Sequence, residues 1–473
     1  MLDSPLTRHL DKMHSLRILA TVLLVVLAAG LSGCGELGLT QQSATESYRD
    51  LKATVPVPGS PRLTAVDDLL AQAAKAAGSN RGVAIDLYLE VAERTVYGVR
   101  GGGVDSKYYR HATGQAVALL NSGSRSGAKP SRYQVTYAQG KNLFSPGQFD
   151  SIDFADAIQL KDIEAITQEG IGAPMVCNVD KSSERKKDHP FLHLVGISTA
   201  ATALVEFPTQ GQARISLCNT RRSDQVVFRG TSRTLATNFT APLVTSSARQ
   251  KTSNIGLKGV LRPAAFFDEM GLYSTEFTDH TKIPVVFTHG LSSRPATWIP
   301  PYNALLAQKW FRENYQVYVF YYPTGLPLMY PAAGFREGLE KMHRELKSRG
   351  AGRNADRVVL VGHSMGGLMT SFQMRDFRGT AKKIFRSPIR VLPIAPTSRK
   401  ALSTLLESPP PRFIKRVVFV ATPHRGSILA NGWLGRLGSM LAKVPKQLLS
   451  LQIGEGARSL TTFGRSLVLE ADP

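Results

Sequence analysis

The sequence predicts an α/β fold with a parallel sheet in the C-terminal part of the chain. The first observation is a set of continuous apolar runs: Ile283 to Phe287 (IPVVF), Gln316 to Tyr322 (QVYVFYY) and Arg357 to Val361 (RVVLV). Strands buried on both faces read this way. The second is that each run is followed by a helix-compatible stretch: Trp298 to Glu313, Glu337 to Lys347 and Gly367 to Arg375. Three β-to-α units in a row imply a parallel sheet with helices on both faces. The third is Gly362-His363-Ser364-Met365-Gly366, a G-x-S-x-G between the last strand and its helix.

That context is what a serine nucleophile motif requires. A sharp strand-to-helix turn lifts the Ser364 hydroxyl above the sheet. A side chain at position 362 or 366 would collide with neighbouring backbone, so Gly362 and Gly366 are needed as supporting turn residues. The backbone N–H of Met365, in the first helical turn, is free to face a developing oxyanion.

GHSMGG resembles the nucleophile segment of the α/β-hydrolases, on the lipase and esterase side. His289-Gly290-Leu291 agrees with this, and Ala421 to Ser427 (ATPHRGS) resembles the T-P-H-x-G segment of bacterial lipases and of lipases related to GPI-inositol deacylases. The resemblance covers about Leu272 to the C-terminus. It implies ester hydrolysis through an acyl-Ser364 intermediate. It also implies a second oxyanion donor at the N–H of Leu291, with Ser292 as fallback, and Gly290 lets that backbone approach the substrate carbonyl. His289 is read as structural. In the resembling lipases the His of the T-P-H segment is not the triad base, which weighs against His424.

One expectation of the family is not met. The order there is Ser, then Asp or Glu, then His. The ten histidines of this chain end at His424. Glu455, Glu470 and Asp472 are available acids, but none sits in a recognisable strand-end context. The expectation is a C-terminally shortened hydrolase domain lacking the triad His and nearly inactive as given.

The whole chain sets wider bounds. Its 473 residues suggest two or three domains. Net charge is +22, from 58 basic and 36 acidic residues. Two readings stay open: a solvated cationic surface, or attraction to an anionic lipid surface. No nucleic-acid motif accompanies the charge, so nucleic acid is not expected as a partner.

Residues 1–34 read as a targeting signal. Arg17 opens an apolar run, Ile18 to Leu31, too short to span a bilayer comfortably. Leu31-Ser32-Gly33-Cys34 resembles the lipobox of bacterial lipoproteins, which implies lipidation at Cys34. Gly35 in place of Asp implies the outer membrane, facing the periplasm. Protein partners are not indicated. Cys177 and Cys218 remain, and an oxidising compartment favours one disulfide between them, with two buried free thiols as the alternative.

Residues 35–61, polar and rich in Ser, Thr, Gln and Pro, are expected to be a tether. In the region 62–122, Val66, Leu69, Leu70, Ala73, Ala74 and Ala77 form a helical stripe. Gly78-Ser79-Asn80 breaks it, and Ile85, Tyr88, Leu89, Ala92 and Val96 form a second. The pair resembles one tetratricopeptide unit, without a second copy. Thr113 to Leu120 adds a third helix. Residues 133–255 are expected to form a small β-rich module, with strands at Arg132 to Ala138, Phe191 to Gly196, Thr202 to Phe207, Ala213 to Cys218 and Gln225 to Phe228. His189 and His193 lie four apart, but nothing completes a metal set, and no metal or cofactor is expected. Thr240 is expected to cap a short helix.

Residues 272–473 are the expected hydrolase domain. Pro323 to Ala333 reads as a loop, and the Pro-rich insertion from about Gly379 to Pro411 as a lid or a surface excursion. Trp433 to Leu451 reads as core or as a basic amphipathic flap. Two function classes follow. One is a serine esterase or lipase acting on an acyl-ester or lipid substrate at the bacterial envelope. The other is a non-catalytic envelope lipoprotein that binds or scaffolds through its N-terminal modules.

Overall fold

The computed structural model describes residues 38–55, 60–99, 103–122, 129–180, 182, 189–193, 196–251, 269–291, 293–326, 328–394 and 396–424. The expected targeting signal with Cys34, Ser292 and everything from position 425 on lie outside the described residues. That range includes Trp433 to Leu451, Glu455, Glu470 and Asp472.

The expected tether is partly ordered structure. Gly38–Gln41 is a strand paired with Ile158–Lys161, and Ala44–Thr54 is a helix, α1. A capping box explains it: the Ser43 side chain accepts from Glu46 N–H, and the Glu46 carboxylate accepts from Ser43 N–H. Helices α2 (Pro61–Ala76) and α3 (Arg81–Thr95) form the expected hairpin. Ser60 caps the first, with Pro61 at its first position, and Asn80 caps the second. The two apolar stripes are the buried faces: Val66, Leu70, Ala73 and Ala74 against Ile85, Tyr88, Leu89 and Ala92. Helix α4 (Val104–Asn121) is longer than the third helix read from sequence.

The β-rich region holds a six-stranded sheet. Its strands are β1 (Gln134–Tyr137), β2 (Leu143–Phe144), β3 (Ser151–Phe154), β4 (Ala173–Val179), β5 (Ile197–Glu206) and β6 (Gln212–Cys218). The order is β1-β6-β5-β4-β3, with β2 also on β6. Every pairing is antiparallel except β1 with β6. The helices and this sheet share one apolar core. The Tyr109 hydroxyl, on α4, accepts from Val205 N–H and donates to Val205 C=O. The Asp86 carboxylate, on α3, accepts from Ser131 N–H and Arg132 N–H.

Two expectations in this region need correction. In the stretch from Phe191 to Gly196, the described residues 191–193 and 196 are not in a strand. His189 and His193 sit around a turn and share no strand face. His189 packs on Phe277 and His193 on Tyr273, with ring centroids 4.4 and 4.8 Å apart. The disulfide is absent: Cys177 and Cys218 are free and buried. Cys177 lies on β4 opposite Thr199, and Cys218 on β6 opposite Thr202, so β5 runs between them. Two strand spacings are about 9.5 Å, beyond the roughly 4.4–6.8 Å that a disulfide spans between Cα atoms. Burial pushes both thiols up, that of Cys218 to about 12.

Helix α5 (Thr240–Lys251) follows, but Thr240 does not cap it. Asn238 Oδ1 accepts from the N–H groups of Thr240 and Ala241. The Thr240 hydroxyl instead accepts from Ile166 N–H and donates to Asn303.

The second sheet has five strands: β7 (Gly271–Ser274), β8 (Ile283–Thr288), β9 (Tyr315–Tyr321), β10 (Val358–His363) and β11 (Ile414–Val420). Its order is β7-β9-β8-β10-β11. The last four strands are parallel and β7 is antiparallel, so the sheet is mixed at one edge. Alternate residues serve two cores. Val286, Tyr318, Phe320 and Leu360 pack against α7 (Met329–Ser348) through Phe335, Leu339 and Met342. Val285, Phe287, Val317 and Val361 pack against Trp298 and α6 (Ile299–Leu306), joined by Phe239 and Leu243 from the α5 segment. Both faces are covered, which accounts for the continuous apolar runs. Helix α7 starts at Met329, inside the stretch expected as a loop. Helix α8 (Met365–Met374) follows β10. In the insertion, α9 (Pro396–Leu406) packs on α7, where Lys400 pairs with Glu337 at 2.8 Å.

The thiol geometry gives a direct test. Alkylation of the full chain under non-reducing conditions is expected to leave Cys177 and Cys218 unmodified when native and to label both in denaturant. A peptide pair linked through the two would contradict the strand order.

Candidate active site

Ser364 sits between β10 and α8 at φ 52°, ψ −121°. A non-glycine residue with positive φ is uncommon and costs of the order of 1–3 kcal/mol. The surroundings hold it there. Ser364 N–H donates to Val420 C=O at 2.9 Å, and Gly367 N–H donates to Ser364 C=O at 2.9 Å. The neighbouring strand ends in the same way: Ala421, just after β11, has φ 45°. The side chain of Ser364 is half-buried, with its backbone at the C-terminal ends of the parallel strands.

The glycines are there because backbones approach closely. A Cβ on Gly366 would lie 2.4 Å from the carbonyl oxygens of both Thr288 and His289. One on Gly362 would lie 2.6 Å from Gly367 Cα and Thr370 Oγ1. Gly290 abuts Ser364 itself: its Cβ would be 3.0 Å from Ser364 Cβ and from His363 Nδ1. The structure therefore brings Gly290, Gly362, Ser364, Met365 and Gly366 together, with half-buried Leu291 next along the β8 loop.

His289 is enclosed. Its ring stacks on Tyr322 with centroids 4.4 Å apart, and Nδ1 lies 3.1 Å from Gly290 C=O. Burial pushes its pKa down to about 4, so the ring is neutral near pH 7. Burial also lowers His363. Among the described residues, no side chain hydrogen-bonds the Ser364 hydroxyl, and no three His, Cys, Asp or Glu side chains converge as a metal site. His424 is exposed beyond β11, its ring edge-on to Phe419.

Three supports of the site were not read from sequence. The Tyr322 hydroxyl donates to His289 C=O at 2.7 Å and fixes the loop after β8. A Cβ on Gly367 would overlap the Thr422 side chain, so the T-P segment packs directly on α8. Arg336, fully buried on α7, donates from Nη2 to Phe372 C=O at 2.8 Å and from Nε to Gln373 Oε1 at 3.1 Å. Its cation thereby meets the C-terminal end of α8, where the helix dipole favours it. The T-P motif was the signal for Gly367; nothing local marks the other two.

A model of the alpha/beta hydrolase family matches residues 285–470. The chain carries an α/β-hydrolase domain. Two solved structures similar to it are both of lipase BlEst2 from Bacillus licheniformis. The mature form is 22% identical, covering 42% of this chain and 62% of that one, with a TM-score of 0.21. The propeptide form is 22% identical, covering 42% and 34%, with a TM-score of 0.22. The chain thus spans less than two thirds of the mature lipase's length. No curated protein sequence matches it.

The glycine contacts predict a stability contrast. Gly366→Ala is expected to lower stability by about 2–3 kcal/mol or more, since both obstacles are backbone. Gly338→Ala, on α7, meets nothing closer than Leu272 Cβ at 3.4 Å and is expected to be neutral or mildly stabilising. Denaturant titration of the two variants checks this; equal losses would contradict it.

Proposed function

We propose that the chain is a serine hydrolase acting on carboxylic esters, with an acyl or lipid ester as substrate. The observation that carries this reading is the strained backbone of Ser364 at the strand-to-helix turn, with Gly290 packed against its Cβ. In the proposed reaction, Ser364 Oγ attacks the ester carbonyl carbon as its proton passes to a solvent water, from which the departing alkoxide takes one back. The oxyanion faces the N–H groups of Met365 and Leu291, the alcohol departs with a proton, and water then releases the acid from acyl-Ser364.

The attack needs a proton acceptor. His289 is a poor one, because its ring is enclosed and holds the loop rather than the hydroxyl. Oxyanion stabilisation by the N–H groups of Met365 and Leu291 is one catalytic term that the turn itself supplies. Such stabilisation together with binding alone still gives roughly 10³–10⁴-fold over water.

Two experiments test this. A fluorophosphonate probe is expected to label Ser364, and p-nitrophenyl ester turnover is expected to be slow and lost in Ser364→Ala. No labelling under any condition would favour the non-catalytic, binding or scaffolding reading; fast Ser364-dependent turnover would show that an acceptor is in place.

The envelope location belongs to the same proposal. It rests on the apolar run Ile18 to Leu31 and the lipobox-like segment ending at Cys34. Metabolic labelling of the expressed chain with an alkynyl fatty acid is expected to tag it in the membrane fraction. Cys34→Ser should abolish the tag, and an unchanged tag would refute lipidation at that residue.

A further inference from the structure

Gly290 lies beside Ser364, and a glycine is the residue most free to turn the two peptide planes that flank it. Here both planes are held. The carbonyl of the His289–Gly290 peptide accepts the Tyr322 hydroxyl at 2.7 Å. The first turn of α8 crowds the same oxygen, which would lie 2.4 Å from a Cβ on Gly366. The carbonyl of the Gly290–Leu291 peptide lies 3.1 Å from His289 Nδ1 and accepts from Ser293 N–H at 3.3 Å.

These contacts decide the tautomer of His289. A carbonyl oxygen can only accept, so the proton of the neutral ring sits on Nδ1 and is donated to Gly290 C=O. Nε2 is then bare, in keeping with a buried atom that has no hydrogen-bond partner among the described residues. The other tautomer would set a lone pair against the Gly290 oxygen and bury an N–H without an acceptor, which is costly. The stack on Tyr322, with centroids 4.4 Å and planes 14° apart, fixes the ring itself.

A planar trans amide carries its C=O and its N–H in opposite directions. Holding Gly290 C=O on the His289 ring and on Ser293 N–H therefore turns Leu291 N–H away from both. That N–H has no backbone acceptor among the described residues, and neither has the N–H of Met365. We infer that His289 and Tyr322 are positioning residues: the Nδ1–H of one and the hydroxyl of the other lock the two peptides of Gly290, so that Leu291 N–H is set as an oxyanion donor before any ester binds. The inference rests on the serine-hydrolase reading above. A donor set in advance needs no reorganisation when the oxyanion forms.

The test is phosphonylation of Ser364 in the full chain by a fluorophosphonate, with kinact and KI measured separately. The phosphonyl oxygen draws on the same donors as an ester oxyanion. Asn carries its amide nitrogen close to where His carries Nδ1, so His289→Asn keeps a donor to Gly290 C=O and His289→Leu does not. Both lose the stacked ring. The expected kinact falls about 100-fold in His289→Leu, about 10-fold in Tyr322→Phe and by no more than about 3-fold in His289→Asn, with KI unchanged in all three. A merely structural role would cost the Asn and Leu variants alike. Should both fail to fold, Tyr322→Phe, which loses one oxygen and keeps the stack, decides alone. Equal losses in Asn and Leu, a loss carried by KI, or an unaltered kinact in Tyr322→Phe overturns the inference while the hydrolase reading stands. An unmodified chain that is never labelled sinks that reading, and this inference with it.

Discussion

The hydrolase sheet depends on how closely its strand ends and α8 are allowed to approach. The first turn of that helix lies against the carbonyl oxygens of Thr288 and His289, at a distance that admits only hydrogen on Gly366. The same closeness places the β8 loop against Ser364 and lets Ser364 N–H reach Val420 C=O. Three parallel strands, β8, β10 and β11, are thus tied at one level. The unfavourable φ of Ser364 is sustained by contacts on either side of it rather than by its own side chain.

Packing extends this outward. The alternation of Val285 and Phe287 with Val286 gives each sheet face its own core. One core is closed by α7. The other is completed by residues from outside the sheet, Phe239 and Leu243, so the N-terminal half of the chain supplies part of the hydrolase interior. Arg221 and Glu276 join the same two halves by charge rather than by apolar contact.

Much of this was legible in the sequence where burial is two-sided. The runs at Ile283, Gln316 and Arg357 read as strands because their residues are buried on both sheet faces, Arg357 alone being exposed ahead of β10. The helical stripe of α2 read correctly for the complementary reason, one face buried and the other wet, whereas α3 is buried around most of its circumference. Legibility failed where long-range partners decide. Ala173–Val179 carries a proline and a cysteine yet is a fully buried central strand. Ile197–Glu206 opens with small and polar residues whose burial depends on α5, as in the bond from Ser198 N–H to Ser246 Oγ. The cysteine pairing failed because compartment chemistry says nothing about the strand between them. In the site, the motif residues Ser364, Gly362 and Gly366 were visible. The Tyr322 bond to His289 C=O was not, since nothing in the local sequence pairs residues 33 positions apart.

The buried guanidinium of Arg336 has a consequence beyond its own hydrogen bonds. A helix gripped only at its front could slide along its axis and carry the Ser364 hydroxyl up or down relative to the sheet. Here the rear of α8 is moored through Phe372 and Gln373, and the same group reaches the carbonyls of Ser408 and Pro409 at 3.4 Å, just ahead of β11. The altitude of the hydroxyl is thus governed from more than two turns away, by a side chain that never comes near it.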